Sequence, residues 1–326
     1  MTTFGPEALK IDEATETQRI ADTIRAYMRR VRRKGAIVAV SGGIDSSVVA
    51  ALCVRALGPK RVFALQMPES ESADETLGIS GELIDWLGID STHEDISPIL
   101  EAYGCYRRRD EAIRRVVPDY GPGYRSKIVL PSVVDSDRYR IYSVVVQAPD
   151  GSQESHRLTT EAYLEIVAAT NFKQRTRKTF EYYHADRLNY FVAGTPNRLE
   201  YDQGFFVKLG DGSADLKPIA HLYKSQVYAL AAYLGVPESI RTRPPTTDTY
   251  SLAQSQEEFY FSLPYDRMDL CLYGINHQVP ADEIAAATGL TAEQLARVIR
   301  DIEQKRRTTS YLHDRPVLAD EVTEID

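Results

Sequence analysis

The chain has 326 residues, 43% of them hydrophobic and 26% charged, with a formal net charge of −8 and a pI near 5.4. This balance is typical of a globular protein with a sizeable core, and the acidic total argues against a protein that wraps nucleic acid. The three cysteines are far apart and form no C-x-x-C pair, so neither a zinc site nor a disulfide framework is indicated.

The N-terminal part is predicted to form a helix rather than a leader. Apolar residues recur at helical spacing over about residues 17–33. No apolar core follows a basic start, and no stretch approaches the length needed to span a bilayer. We therefore expect a reducing, cytoplasmic location and no membrane partner.

The most informative segment is a glycine turn between a predicted strand, Ala36–Val40, and a predicted helix, Val48–Leu57. The turn consists of Ser41, Gly42, Gly43, Ile44, Asp45, Ser46 and Ser47. Glycines let the backbone approach an anion closely, and the first helical amides and the helix dipole point at the same place. Asp45 adds a carboxylate suited to a magnesium ion. The segment therefore predicts a phosphate-binding loop.

Two other phosphate-binding loops are disfavoured. A Walker A loop needs a Lys-Ser or Lys-Thr pair at its end, which this segment lacks. A dinucleotide fingerprint needs a third glycine where this chain has Ser46. The remaining structural alternative is an ordinary glycine turn between a strand and a helix.

The next elements continue a strand and helix alternation. Arg61–Met67 predicts a second strand, Glu82–Leu87 belongs to a helix, and Ile89–Ile96 predicts a third strand. This rhythm predicts an α/β fold with a doubly wound, mostly parallel sheet. Ligands bind such sheets at the carboxyl ends of the strands.

The alternation breaks over about residues 103–158. A basic helix, Arg107–Val117, precedes two β-rich runs, Tyr139–Gln147 and Ser152–Leu158, on either side of a Pro-Asp-Gly turn. These runs predict a β-hairpin inserted into the α/β core. No repeat or low-complexity linker is visible, so we expect residues 1–326 to form a single domain with an insertion.

Regular order then resumes. The predicted elements are a helix over about Thr160–Leu188, a strand at Tyr190–Ala193, a helix at His221–Leu234, and a C-terminal helical pair over about 281–312. A DNA-reading helix-turn-helix has the outline of that pair. Because acidic residues are mixed into its second helix, a packed pair is favoured and no nucleic-acid partner is expected.

A second group of polar residues follows the Tyr190–Ala193 strand. Thr195 and Glu200 come directly after it, at the edge of the sheet where the first loop is expected. Lys208, Asp215 and Lys224 follow. Cations beside carboxylates at strand ends suit a metal-bound polyphosphate. For these residues taken alone, a surface Gly-Asp-Gly turn with solvated neighbours is the favoured interpretation.

The S-G-G-x-D-S pattern resembles the pyrophosphate loop of the N-type ATP pyrophosphatases. Taken with Asn171–Arg177, Gly194–Glu200, Gly204–Gly212 and Asp215–Pro218, it resembles the ordered signature of the ammonia-dependent NAD synthetases. The resemblance covers about residues 20–312 without the insertion. It implies an adenine nucleotide alpha hydrolase-like fold and a homodimer. It further implies that deamido-NAD is adenylylated with magnesium-ATP and amidated by free ammonia.

The resemblance also implies individual roles. Ser41 to Ser47 would hold the ATP phosphates, Asp45 and Glu200 would hold Mg²⁺, and Thr195, Lys224 and Thr246 would contact ATP. Arg175, Lys208, Asp215 and Lys305 would bind deamido-NAD. Asp45, Lys224 and Asp215 would be catalytic, with Asp215 or another nearby carboxylate taking the proton from ammonia.

Two departures from the family pattern concern the acceptor end. Gln304 precedes Lys305 where the family usually has His-Lys, and Gln256 stands where it usually has an acidic residue. The main alternative is therefore a paralogue that adenylylates and amidates another carboxylic acid. A tRNA-modifying thiolase and a non-catalytic nucleotide- or DNA-binding protein are weaker alternatives. A glutamine-using enzyme would need a further amidohydrolase domain, for which 326 residues leave no room.

Overall fold

A computed structural model describes residues 4–72, 75–130, 142–245, 249–252, 254–261, 263–320 and 322–323. The strands in these ranges are β1 (Ala36–Ala39), β2 (Val62–Gln66), β3 (Asp90–His93), β4 (Arg125–Val129), β5 (Ser143–Gln147), β6 (Gln153–Arg157) and β7 (Phe191–Ala193). The α-helices are α1 (Glu13–Arg30), α2 (Ile44–Leu57), α3 (Glu75–Leu87), α4 (Ser97–Ala102), α5 (Cys105–Arg114), α6 (Thr160–Leu188), α7 (Arg198–Gln203), α8 (Lys224–Leu234), α9 (Glu238–Arg241), α10 (Tyr265–Asn276), α11 (Ala281–Thr288) and α12 (Ala292–Thr309).

The first sheet is parallel and its strand order is β3-β2-β1-β7. Ile37 of β1 lies opposite Phe63 of β2 on one side and Val192 of β7 on the other. β3 extends the sheet beyond β2. Because all four strands run in one direction, the loops that follow β1, β2 and β7 meet at one edge.

Helices cover both faces of this sheet. Val38 packs with Ile24 of α1 and Leu230 of α8 on one face. Ile37 packs with Leu100 of α4 on the other, because neighbouring residues of a strand point to opposite faces. The predicted doubly wound α/β arrangement is confirmed.

The insertion contains a second, antiparallel sheet with the order β4-β5-β6. Val144 and Ile128 of this sheet pack with Ile113 of α5 and Ile166 of α6. The predicted hairpin is β5 and β6, paired with Val145 opposite Ser155. The strand β4 lies outside both predicted β-rich runs, and residues 139–141 of the first run lie outside the described residues.

The C-terminal helices form a third layer. Leu270 of α10, Ile284 of α11 and Val298 of α12 share one apolar cluster, so the predicted helical pair is packed against α10. Several helix starts differ from the prediction: α2 begins at Ile44 rather than Val48, and α5 at Cys105 rather than Arg107. α1 begins at Glu13, where Asp12 accepts a hydrogen bond from Thr15 N, and α8 begins at Lys224 rather than His221.

Candidate active site

The glycine loop after β1 has the geometry of an anion-binding turn. Gly42 has a φ of 70°, and a Cβ atom there would lie 3.1 Å from Cγ2 of Ile79. Helix α2 starts at Ile44 without a side-chain cap on its first amides. These amides and the positive end of the helix dipole are therefore available to a ligand.

Two serines of the first turn of α2 stabilise the start of this helix. The hydroxyl groups of Ser46 and Ser47 donate to the Gly43 carbonyl oxygen at 3.0 and 2.8 Å. Ser46 still lines the cleft described below, whereas Ser47 is fully buried and does not line it. Ser47 therefore stabilises the turn through this hydrogen bond, on the side away from the cleft.

A lysine and two carboxylates lie beside this loop. Lys224 Nζ is 2.5 Å from Asp45 Oδ2, and Asn197 donates its side-chain amide to Asp45 Oδ1 at 3.1 Å. Glu200 Oε2 accepts the backbone amide of Asn197 at 3.0 Å, and Glu200 Oε1 accepts Gln256 Nε2 at 3.1 Å. Residues from the carboxyl ends of β1 and β7 are thus joined to α8.

Electrostatics set the protonation of this group. Burial raises the pKa of Glu200 to about 8, and the charge of Asp45 acts in the same direction. Burial disfavours a charged Lys224, but Asp45 and Glu200 outweigh it and raise the pKa of the lysine. A further cation beside these two carboxyl groups would favour the ionised form of Glu200, so the group suits a site for such a cation.

Asp269 positions Lys224 and was not predicted from the sequence. Its carboxylate is fully buried and accepts the backbone amides of Lys224 at 3.2 Å and Ser225 at 2.7 Å. It therefore caps the first turn of α8. Burial raises the pKa of Asp269 to about 6, against the effect of these amides.

The loop and these side chains line one end of a cleft of about 2090 Å³. Pockets that hold one drug-sized ligand measure about 300–1,000 Å³. The cleft therefore has room for two nucleotide-sized ligands. Of the predicted site residues, the following line it: Ser41, Gly42, Gly43, Ile44, Asp45, Ser46, Arg175, Thr195, Glu200, Lys208, Lys224 and Lys305.

The predicted acceptor-binding cations lie together on the α6 and α12 side of the cleft. Arg175 is exposed and its Nε donates to the Lys208 carbonyl oxygen at 3.3 Å. Lys208 Nζ donates to the Tyr311 carbonyl oxygen at 2.7 Å. Lys305 is buried, 2.7 Å from Asp301 Oδ2. Gln256 and Gln304, the two departures from the family pattern, line the same cleft.

A buried ion pair and a second carboxylate also face the cleft. Lys178 Nζ is 2.6 Å from Glu181 Oε2, and both residues are buried. Asp211 lies near them and accepts the Val207 amide at 2.8 Å. Burial raises the pKa of Glu181 despite Lys178, and burial raises the pKa of Asp211 despite the Val207 amide. A Lys and a Glu three residues apart in the predicted helix were the available sequence signal.

Lys173 forms the centre of another network that sequence reasoning missed. It is 1% exposed, and its Nζ contacts Glu69 at 2.9 Å, Glu71 at 2.7 Å and the Thr249 carbonyl oxygen at 3.0 Å. Arg109 of α5 donates to Glu71 at 2.6 Å. The network ties the loop after β2 to α5 and α6, and so fixes that wall of the cleft.

Besides Ser47, two further predicted residues are not among those that line the cleft. Asp215 is exposed and does not line the cleft. Its carboxylate accepts the Val192 amide at 2.8 Å and the Tyr182 hydroxyl at 3.3 Å. The reason is that these contacts turn it toward β7 and α6. Thr246 lies outside the described residues.

The fold and this cleft define an α/β nucleotide-binding protein with a phosphate loop at the carboxyl end of its first strand. The family model described as NAD synthase matches residues 16–117 and 136–310. The chain belongs to the NAD synthase family.

Curated relatives agree with this assignment over nearly the whole chain. The chain is 59% identical over 323 residues to a protein named NH(3)-dependent NAD(+) synthetase from Rhizobium meliloti (strain 1021), covering 99% of this chain and 97% of that protein. It is 32% identical to the protein of the same name from Thermotoga maritima, with 90% of this chain and 97% of that protein covered.

Solved structures share the fold. An NMN synthetase from Francisella tularensis has a TM-score of 0.67 at 20% identity, covering 96% of this chain and 100% of that one. An NH3-dependent NAD synthetase from Campylobacter jejuni has a TM-score of 0.63 at 23% identity, covering 95% of this chain and 100% of that one.

Proposed function

We propose that this chain is a ligase that amidates the nicotinate carboxylate of deamido-NAD with ammonia at the expense of ATP, releasing AMP and pyrophosphate. The observation that carries the proposal is the 59% identity with a curated ammonia-dependent NAD⁺ synthetase over nearly the whole of both chains. The phosphate loop, Asp45, Glu200 and Lys224 at one end of a two-ligand cleft support it.

The reaction requires activation because a carboxylate does not react with an amine while its leaving group is oxide. Attack of the carboxylate on the α-phosphorus of ATP breaks the α–β phosphoanhydride bond, releases pyrophosphate and leaves an acyl–phosphate mixed anhydride whose leaving group is AMP. Holding ATP and the acid side by side in one cleft supplies proximity for this transfer. No protein nucleophile is needed for either step.

The triphosphate is assigned to the end of the cleft at Ser41–Ser46. The free amides at the start of α2 suit phosphate oxygens, and Thr195 lines the same region. Lys224, kept charged by two carboxylates and placed by Asp269, would neutralise the charge that builds on the departing pyrophosphate. Thr246 stays a prediction for the nucleotide.

Asp45 and Glu200 fit a magnesium ion. Both are carboxylates beside the phosphate loop, and their mutual repulsion contributes to the raised pKa of Glu200. Mg²⁺ is typically held by one or two carboxylates with substrate phosphates and water as its other ligands. When bound, the ion would supply Lewis-acid stabilisation of the phosphate oxygens.

The acceptor is assigned to the other side of the cleft. Arg175, Lys208 and Lys305 are cations suited to its phosphates and carboxylate. The family motif predicts Asp215 as the proton acceptor for ammonia. Asp211 and Glu181 line the cleft, however, and Asp215 does not. We therefore transfer that role to Asp211 and Glu181, and Asp215 keeps only its predicted part in substrate binding.

The amidation step then balances. One proton of ammonium passes to a carboxylate, and neutral ammonia forms a C–N bond to the acyl carbon. The bond from that carbon to the AMP oxygen breaks, and AMP leaves with the electron pair. The nitrogen of the adduct then releases a second proton to solvent, which leaves the neutral amide.

A homodimer in the cytoplasm is proposed from family resemblance. Leu209 and Tyr311 are 70% and 57% exposed at the rim of the cleft beside Lys208, and such apolar groups suit a subunit interface. Among the described residues, none of the helices is long and apolar enough to cross a membrane.

The test is to mix the protein with magnesium-ATP, ammonium and deamido-NAD and to measure NAD, AMP and pyrophosphate. We expect the three products in equal amounts. Lys224→Met should lower the rate by about 100-fold or more, since it removes charge stabilisation of the leaving group. The exposed Lys60→Met is the control and should leave the rate unchanged. Pyrophosphate released only with a different carboxylic acid would select the paralogue instead.

A further inference from the structure

One wall of the cleft is built by a segment outside the match to the family model. The matched ranges leave out residues 118–135. Of this segment, Gly123, Tyr124, Arg125 and Leu130 line the cleft. The chain therefore adds a surface to the cleft that the matched part of the fold does not provide.

This added segment is held firmly. Ser126 N donates to Ser251 Oγ at 2.9 Å, and Leu252 N donates to the Ser126 carbonyl oxygen at 3.2 Å. Gln254 Nε2 donates to the Ile128 carbonyl oxygen. Ser126 and Ile128 are each 1% exposed. Strand β4 is thus fixed between β5 and residues 251, 252 and 254, and its alternate side chains have defined positions.

Arg125 is the charged group that this strand presents. It is exposed and lines the cleft. Its side chain makes no hydrogen bond or ion pair within the described part of the chain. A guanidinium is always charged, and its planar donors match phosphate oxygens in a bidentate manner. Arg125 is therefore suited to a phosphate group of a bound substrate.

The position of Arg125 distinguishes between the two phosphate-bearing substrates. The ATP tail is assigned to donors that follow β1 and begin α2, together with Lys224. Arg125 belongs to the second sheet, whose neighbours in the cleft include the stacked rings of Tyr142 and Tyr163, 4.1 Å apart. Arg125 thus lines the cleft from the inserted sheet, whereas the ATP tail is assigned to the loop of the first sheet, so we assign the phosphate partner of Arg125 to the second substrate.

We propose that Arg125 on β4 binds the pyrophosphate of the dinucleotide acceptor, and that the added segment is an acceptor-recognition element. This inference rests on the proposed function and deepens it. It gives the insertion a role in selecting the acid to be amidated, separate from the handling of ATP.

The test compares Arg125→Ala, Arg125→Lys and a control, Arg157→Ala, in the purified full chain. Arg157 lies on β6 of the same sheet, is exposed, and does not line the cleft. The KM values for deamido-NAD, ATP and ammonium are measured for each variant. We expect Arg125→Ala to raise the KM for deamido-NAD about tenfold or more, and Arg125→Lys to raise it less. The KM values of the Arg125 variants for ATP and ammonium should stay within about twofold of the wild-type values. All three KM values of Arg157→Ala should do the same.

Two results would overturn the inference alone. One is an unchanged KM for deamido-NAD in Arg125→Ala, and the other is a rise in the KM for ATP without one for deamido-NAD, which would assign Arg125 to ATP. A wild-type chain that forms no NAD would instead overturn the proposed function, and this inference with it. Because Arg125 is exposed, loss of folding does not complicate the comparison.

Discussion

At the scale of single residues, Asp269 links the stability of the fold to the position of the active-site lysine. Its carboxylate is fully buried and accepts the first two backbone amides of α8, those of Lys224 and Ser225. The burial that raises its pKa to about 6 means that the folded chain holds a proton there that the unfolded chain releases above about pH 4. The contribution of Asp269 to stability is therefore present below pH 4 and is lost as the pH rises to 6.

This gives a prediction for Asp269→Asn. As the pH rises from 4 to 6.5, the free energy of unfolding of the wild-type chain should lose a contribution on the order of 3 kcal/mol from Asp269. The variant lacks this contribution and should not show the loss. Urea unfolding at several pH values measures it. Asp266→Asn, an exposed change in the same helix, is the control and should keep the wild-type slope. Parallel pH profiles for all three proteins would contradict the prediction.

The Lys178–Glu181 pair leads to a prediction for the ammonia step. Glu181→Gln should lower the rate of amidation with ammonium about tenfold or more, because the amide cannot accept a proton. Exchange of pyrophosphate into ATP in the presence of deamido-NAD and the absence of ammonium should stay near the wild-type rate. The variant should lose less with hydroxylamine, a nucleophile that is already neutral at neutral pH.

The control for this prediction is Glu94→Gln. Glu94 pairs with His184, one turn further along α6, and does not line the cleft. The Glu94→Gln variant should keep the wild-type rates of both pyrophosphate exchange and amidation. Equal losses of Glu181→Gln in exchange and amidation would show that the pair serves folding or ATP binding instead.

At the scale of elements, the turn between β1 and α2 depends on the backbone of one glycine. Gly42→Ala places a Cβ in a left-handed conformation and against Ile79 of α3. We expect it to destabilise the chain by about 1–2 kcal/mol. Gly43→Ala is the matched control, since Gly43 has a φ of −82° and its nearest new contact would be Ser41 Oγ at 3.4 Å. Thermal unfolding measures both, and equal stability of the two variants would contradict the expectation.

The elements that the sequence predicted well are those whose signals are local. Ser41 to Ser47 are contiguous and lie between clear apolar runs, so the strand, turn and helix could all be recognised. The long helix α6 was predicted with its observed ends, since Thr159 caps its start and Asn189 in a left-handed conformation ends it.

The features that the sequence did not reveal depend on distant partners. Strand β4 is held by Ser251 and Gln254, more than 120 positions away. Asp269 reaches the start of α8 from 45 positions further along the chain. Asp215 is the converse case, because its place in a family motif predicts a substrate contact but does not indicate that Val192 and Tyr182 engage its carboxylate outside the cleft. Neither spacing nor residue type encodes such tertiary contacts.

At the scale of the whole molecule, the proposed dimer is open to a direct test. Leu209 is 70% exposed and has a φ of 62°, which is unfavourable for a leucine without compensating contacts. We expect Leu209→Glu to shift a dimer toward monomers in light-scattering measurements across protein concentration. Tyr233→Glu, at an exposed residue of α8, is the control and should remain dimeric. A wild-type chain that is monomeric at all concentrations would contradict the proposed assembly.

The contact between Lys224 and Asp45 has a consequence for how substrates enter. Before nucleotide binds, Lys224, which is proposed to meet the triphosphate, is already paired with Asp45, which is proposed to meet the metal. A lone anion must compete with Asp45 for the lysine, and a lone divalent ion must compete with the lysine for Asp45. Only a metal and a polyphosphate that arrive together replace both halves of the contact at once, so the resting protein favours the complexed nucleotide over either of its parts.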